Sequence, residues 1–396
     1  MTVTGFAPTD LAVDDPYPLL AALRSAAPVL RLDSGFWAVT GYEAAMAAFR
    51  DRAFASGPIA GRYVDALPPG AARDEMSHRI NFLDPPDHPR VRGLVSKAFT
   101  PRRVADLTPW IAATAERLLD ELDPTAEVDL LRRFAHQLPS LVISELLGVP
   151  SADRDTLTGW SDAVAPLLGL GMGDDERQSA LAAAEQFHAY LGALLDERRR
   201  QPGDDLLSAL LAAEENGERL RRVELMSLAA TLYSAGHRTT RDLFSNGLSV
   251  LLRRADGLRP IADRRWAADA VAGEMLRVET PTLFVVRIPV EAATLVGTAI
   301  GAFEPLLIFL AAANRDPAAF DAPDEFRPGR AGPPPLSFAY GAHYCLGASL
   351  ARNEVATMLT ALARRWPALR LADRPLRWHQ RGPFRGLDEL VVRLAP

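Results

Sequence analysis

The sequence predicts a mainly α-helical fold with a smaller β-rich portion, and three observations carry that expectation. Amphipathic helical patterns recur along most of the chain, the longest running from Leu220 to Arg253. Strand-like runs are short and gather in three places, about residues 28–40, 283–300 and 368–396. Hydrophobic residues make up 48% of the 396 and charged residues 24%, as in a globular chain with a sizeable core. We expect one domain over residues 1–396, although length alone would also allow two.

Asp14-Asp15-Pro16 caps a first helix over Tyr17–Ala26. Val29–Leu32 and Phe36–Val39, divided by Asp33-Ser34-Gly35, read as a hairpin, and Tyr42–Arg50 returns to helix. From Ala55 to Asp87 the chain reads as loop, with Gly57-Pro58, Pro68-Pro69-Gly70 and Pro85-Pro86 as breakers. His88 opens a helix that Phe99-Thr100-Pro101 ends. Helices follow at about Val104–Leu122, Leu130–Leu147 and Ser151–Leu168. A glycine-rich break, Gly169–Gly173, is either a hinge or a plain turn, and a long helix runs from about Asp174 to Arg200. The Leu220–Arg253 pattern is broken at Ala235-Gly236, since glycine weakens a helix by up to about 1 kcal/mol relative to alanine. Trp266–Val278 is helical, Val285–Ile288 a strand, Leu346–Arg365 a helix, and the tail forms short strands turning at Gly382-Pro383-Phe384.

The net charge of -6 leaves no basic excess for phosphate neutralisation, which argues against a nucleic-acid binder. One cysteine, Cys345, excludes an intrachain disulfide. Met1–Asp15 has neither a signal-peptide pattern nor an apolar run of membrane-spanning length, so we expect a soluble, cytoplasmic protein; a monomer is expected as well. Lys97 is the only lysine; the arginine bias fits GC-rich coding better than any function.

Cys345 stands in Ser337-Phe338-Ala339-Tyr340-Gly341-Ala342-His343-Tyr344-Cys345-Leu346-Gly347, a glycine-punctuated loop running into a helix. Backbone N–H groups and the dipole at a helix start favour thiolate over thiol. One thiolate cannot complete a structural zinc or iron–sulfur site, but it can be the axial ligand of a haem. The bland alternative is a buried small hydrophobe. The stretch resembles the cysteine-ligand loop of cytochrome P450 enzymes in the order of Phe338, Gly341, His343, Cys345 and Gly347, extended by Leu346, Leu350, Ala351 and Arg352. Ala339 departs from it, since glycine is usual there; we expect a slight change in the loop's path and retained haem binding.

The resemblance implies the cytochrome P450 fold and haem b with Cys345 as axial thiolate. His88 and Arg92, at i and i+4, are by themselves a solvated basic face; by resemblance they hold haem propionates, joined by Arg287 and His343. Ala235-Gly236-His237-Arg238-Thr239-Thr240 resembles the oxygen-binding segment, with Thr239 organising water there. Its usual acid is replaced by Arg238, a poor proton relay. Arg238 pairs with Asp242, anchors a substrate carboxylate, or leaves relay to Thr239 and water. Glu274 and Arg277, a weak surface bridge if taken alone, resemble the family's core pair, completed by Arg327 or Arg330. Leu232, Leu283, Phe284, Val285 and Phe384 would line the substrate pocket.

The same resemblance implies an O₂-activating monooxygenase that hydroxylates or epoxidises a bulky, mostly apolar small molecule, in bacterial secondary metabolism. Its partners would be a separate ferredoxin and ferredoxin reductase, with Arg102, Arg103 and Arg352 as docking charges; neither nucleic acid nor membrane is expected. The alternatives are an H₂O₂-using peroxygenase on a carboxylate held by Arg238, an oxidative coupling or cyclisation enzyme, and a non-catalytic haem-thiolate sensor.

Overall fold

The computed structural model describes residues 2–3, 5–168, 173–213 and 217–395. Helices dominate and strands are short, as the periodicity predicts. Tyr17–Ala26 and Asp174–Arg200 form helices over the expected residues. The second is charged to suit its dipole, with Asp174, Asp175 and Glu176 in its first turn and Arg198, Arg199 and Arg200 in its last.

The described residues group into two compact units. The first comprises Met1–Phe54, Thr108–Leu138 and Thr239–Pro396. The hairpin Val29–Leu32/Trp37–Val39 pairs in antiparallel register, Leu30 opposite Ala38. Trp37–Val39 then runs parallel to Leu306–Ile308, and Val285–Pro289 lies antiparallel beyond that, Arg287 opposite Leu306. In the tail, Trp378–Arg381 pairs with Phe384–Leu387 about Gly382, whose φ of 59° suits glycine. The helix Ala268–Val278 packs on Ala348–Arg365, the helix that comes after Cys345.

The second unit comprises Ala55–Leu107 and Pro139–Arg238. Its apolar cluster includes Leu67, Met76, Val164, Leu167, Ala180 and Ala184. Here the expected loop Ala55–Asp87 proves wrong, because it contains the helices Gly57–Ala66 and Ala71–His78. Pro58 sits in a first turn, where proline costs no hydrogen bond. The Asp84 carboxylate accepts from Ser56 N–H at 3.0 Å and Gly57 N–H at 2.5 Å. Glu185 Oε1 accepts from Ala71 N–H at 2.8 Å. Remote acids thus supply the caps that the local sequence lacks.

The long helix runs unbroken over Arg222–Arg253, against the expected interruption at Ala235-Gly236. Gly236 answers to packing instead: a Cβ there would approach Ile143 Cδ1 to 3.0 Å. Leu130–Leu147 divides into a π-helical turn, Leu131–Ala135, and the helix Gln137–Leu146. The helix expected at Val104 begins at Pro101 and ends at Asp120. Of the break Gly169–Gly173, all but Gly173 lies outside the described residues.

Candidate active site

In the first unit the chain approaches Cys345 through two tight turns, Leu336–Phe338 and Gly341–His343. Gly341 has φ 74°, and a Cβ there would lie 2.8 Å from Phe49 O. Ala339 adopts φ 56°, ψ -158°. An L-residue held there costs about 1–3 kcal/mol, so the added methyl brings strain rather than only a slight change of path. Cys345 N–H donates to Phe338 O at 2.9 Å, closing the loop, and Gly347 precedes the helix Ala348–Arg365. The Phe338 ring meets Tyr344 edge-on at 6.3 Å and carries the Arg352 guanidinium at 5.1 Å. Cys345 is exposed, so it does not fill the core as a small hydrophobe.

A buried ion pair stands behind this loop. Arg277 donates to both carboxylate oxygens of Glu274, at 2.9 and 2.7 Å, and to the carbonyls of Asn314 (3.0 Å), Pro323 (2.6 Å) and Glu325 (2.9 Å). Its side chain is 1% exposed, which replaces the surface-bridge alternative with a core pair. Asn314 passes the order on: Oδ1 accepts from Leu336 N–H at 2.6 Å and Nδ2 donates to Ser337 Oγ at 2.8 Å, at the start of the cysteine loop. Arg327 and Arg330 divide the third place between them. Arg330 brings its guanidinium to 3.4 Å from Glu274, whereas Arg327 offers only its backbone N–H, at 2.8 Å, and turns its side chain to Asp321 and Glu325.

Arg287 is buried, with its guanidinium 5.7 Å from the Phe49 ring centre, while His343 is half-buried. Of the expected pocket residues, Leu283 and Phe284 pack in the core, the Phe284 ring 5.5 Å from Phe309. Val285 and Phe384 are half-buried, and Phe384 bridges to Thr282. In the helix after the cysteine, Glu354 is buried, its Oε2 has no hydrogen-bond partner among the described residues, and burial holds its carboxyl well above the usual range.

In the second unit His88 is buried and Arg92, one turn on, is half-buried. On the long helix Ala235 is exposed although mid-helix, beside half-buried Leu232, Gly236 and Arg238; Thr239, assigned to the first unit, is also half-buried. Arg238 does not take Asp242 as its partner. Its Nε lies 3.9 Å from Asp162 Oδ1, which is 3.2 Å from Nε2 of fully buried His237. Asp242 instead receives Arg241 Nε–H at 2.7 Å. The expected docking charges are ordinary in their contacts: Arg102 lies by Asp106 and Arg103 donates to Asp204 O. Sequence reasoning missed Arg79, a buried guanidinium bonded to Thr231 and Ser234 of the long helix. A lone arginine in a stretch that reads as loop gives no local signal.

Among the described residues no group of three or more His, Cys, Asp and Glu side chains could hold a metal, and no helix is long and apolar enough to cross a membrane. Residues 267–370 match the family model for cytochrome P450. The chain is similar to cytochrome P450 monooxygenase PikC of Streptomyces venezuelae, 38% identical over 96% of this chain and 91% of that one. It is similar also to mycinamicin IV hydroxylase/epoxidase of Micromonospora griseorubida, 38% identical over 93% of each. The solved structure of CalO2 superposes with a TM-score of 0.93, at 33% identity and complete coverage of both chains. Likeness of this extent, on top of the cysteine loop and its buried ion pair, means that the chain belongs to the cytochrome P450 family and is a P450 monooxygenase of the bacterial kind, whose members carry haem on a cysteine thiolate.

Proposed function

We propose that Cys345 is that axial thiolate, that the haem is haem b, and that the enzyme oxidises a bulky, mostly apolar small molecule of bacterial secondary metabolism. The observation that carries this reading is the exposed thiol of the chain's single cysteine, held in a loop backed by the Glu274–Arg277 pair. The donor set suits the group, because one thiolate at a helix start is enough where a porphyrin provides the remaining donors. When bound, the haem supplies the one-electron and oxygen chemistry that no side chain provides.

The chain's own residues have narrower roles. His88, Arg92, Arg287 and His343 are cations or hydrogen-bond donors for the propionates. Phe338, Gly341 and Gly347 shape the cysteine loop, and Ala235 and Gly236 keep one helix face low. Thr239 offers a hydroxyl able to hold water and pass a proton. Arg238 keeps its own proton, and its approach to Asp162 favours a tethering role over capture of a substrate carboxylate. That favours O₂ over the peroxide-using alternative. We assign the enzyme to the cytoplasm and its electrons to a ferredoxin and ferredoxin reductase.

Reduced, CO-treated protein should give the Soret shift of a thiolate ligand, and Cys345→Ser should abolish it; a wild type without the shift refutes the ligand assignment. Turnover with a ferredoxin system should exceed turnover with H₂O₂ alone, and the reverse order would favour the peroxygenase.

A further inference from the structure

Arg79 comes directly after the helix Ala71–His78 and is 4% exposed. Its Nε–H reaches Thr231 Oγ1 at 3.2 Å and its Nη2–H reaches Ser234 Oγ at 3.1 Å. Thr231 and Ser234 lie four residues and one residue before Ala235, so the three share one stripe of the long helix. Ala235 is exposed in mid-helix, so the stripe opens at that residue, whereas Thr231 is buried and Ser234 half-buried. The guanidinium therefore stands one turn before an exposed position of the helix.

Its charge is matched by Glu75. Glu75 Oε1 lies 3.3 Å from Arg79 Nε, and Glu75 Oε2 accepts from His188 Nε2 at 2.9 Å. Ser227 Oγ–H donates to the Glu75 carbonyl at 2.9 Å. Glu75, Arg79 and His188 are all buried, so the cluster is a built polar site. Arg79 Nη1 has no hydrogen-bond partner among the described residues, and guanidinium donors project in a fixed fork. The stacked rings of Tyr63 and Phe82, 5.6 Å apart, belong to the apolar cluster of this unit.

We infer that Arg79 determines specificity by donating from Nη1 to a neutral carbonyl oxygen on an otherwise apolar substrate, which makes the substrate class ketones, lactones and esters and excludes carboxylates. The inference rests on the P450 reading of the chain. A carboxylate would approach an arginine whose charge Glu75 already balances and would be repelled by Glu75 itself in a poorly screened site. A neutral oxygen needs only the donor.

Haem-loaded enzyme titrated with cyclopentadecanone, cyclopentadecane and pentadecanoate tests this, with dissociation constants read from Soret difference spectra and, independently, from calorimetry. The wild type should bind the ketone about tenfold or more tighter than the hydrocarbon, with no advantage for pentadecanoate. Glu75→Gln/Arg79→Met, which leaves no unpaired buried charge, should shrink the ketone's advantage to about twofold or less. A merely structural role for Arg79 would not alter that ratio. If the double variant does not fold, Arg79→Lys, which keeps the ion pair but shifts the donors, should still reduce it. The inference is overturned by a wild type without ketone preference, including one that binds neither ring. A preference that survives both substitutions, or tighter binding of pentadecanoate than of the ketone, overturns it equally. The CO spectrum of the same samples separates the two levels. A thiolate Soret without ketone preference refutes only the role of Arg79; a missing thiolate Soret refutes the haem-ligand assignment.

Discussion

The cysteine loop and the middle of the long helix are held in opposite ways. Around Cys345 the backbone itself is constrained: Gly341 and Ala339 have positive φ, Cys345 N–H is tied to Phe338 O, and the loop's first residues hang on Asn314. Ala235-Gly236-His237-Arg238 is plain helix, and its character lies in side chains that reach Asp162. A segment held through its main chain tolerates few residue types, whereas a regular helix can exchange side chains without losing its path. The cysteine loop is thus the segment restrained through its main chain, and the helix that carries Arg238 is the one whose side chains can change without moving the backbone.

The widest difference should come from the support of the loop. Glu274→Gln leaves Arg277 buried with a weakened partner, and we expect a loss of about 3–5 kcal/mol in urea unfolding; a loss below about 1 kcal/mol would mean that the carbonyl contacts suffice. Ala339→Gly should relieve the loop and raise stability by about 1 kcal/mol, glycine's greater unfolded-state entropy offsetting part of the strain. On the helix side, a double-mutant cycle of Arg238→Gln and Asp162→Asn should give a coupling of less than about 1 kcal/mol, because Asp162 is 36% exposed and screened. A coupling larger than that of the loop's own residues would erase the contrast.

The same contrast explains what is legible in the sequence. The cysteine loop can be read because its glycines and lone thiol are demanded locally, and Tyr17–Ala26 and Asp174–Arg200 because their ends carry proline or charge. The helices in 57–78 escape because the groups that accept from their first N–H donors sit far along the chain: Asp84, 27 residues beyond Gly57, and Glu185, 114 beyond Ala71. Arg79 is hidden for the same reason, its partners Thr231 and Ser234 being 152 and 155 residues away. Arg238 stands out in the sequence as unusual, but its partner is not Asp242 on its own helix, where the spacing is right and the side chain already belongs to Arg241.

Glu354 gives the helix behind Cys345 a proton economy of its own. Burial raises its folded-state pKa well above the ordinary 4.5, so the native chain holds a proton there that the unfolded chain releases. Folding therefore takes up a proton at this position, and stability declines as pH rises above about 4.5 towards the folded-state value. Glu354→Gln, isosteric and without a titrating proton, should flatten that decline and melt higher than the wild type at pH 8 but not at pH 4; equal slopes of melting temperature against pH would place the ionisation elsewhere. The helix that follows Cys345 thus holds, a few turns on, a carboxyl that keeps its proton well above the usual carboxylate range.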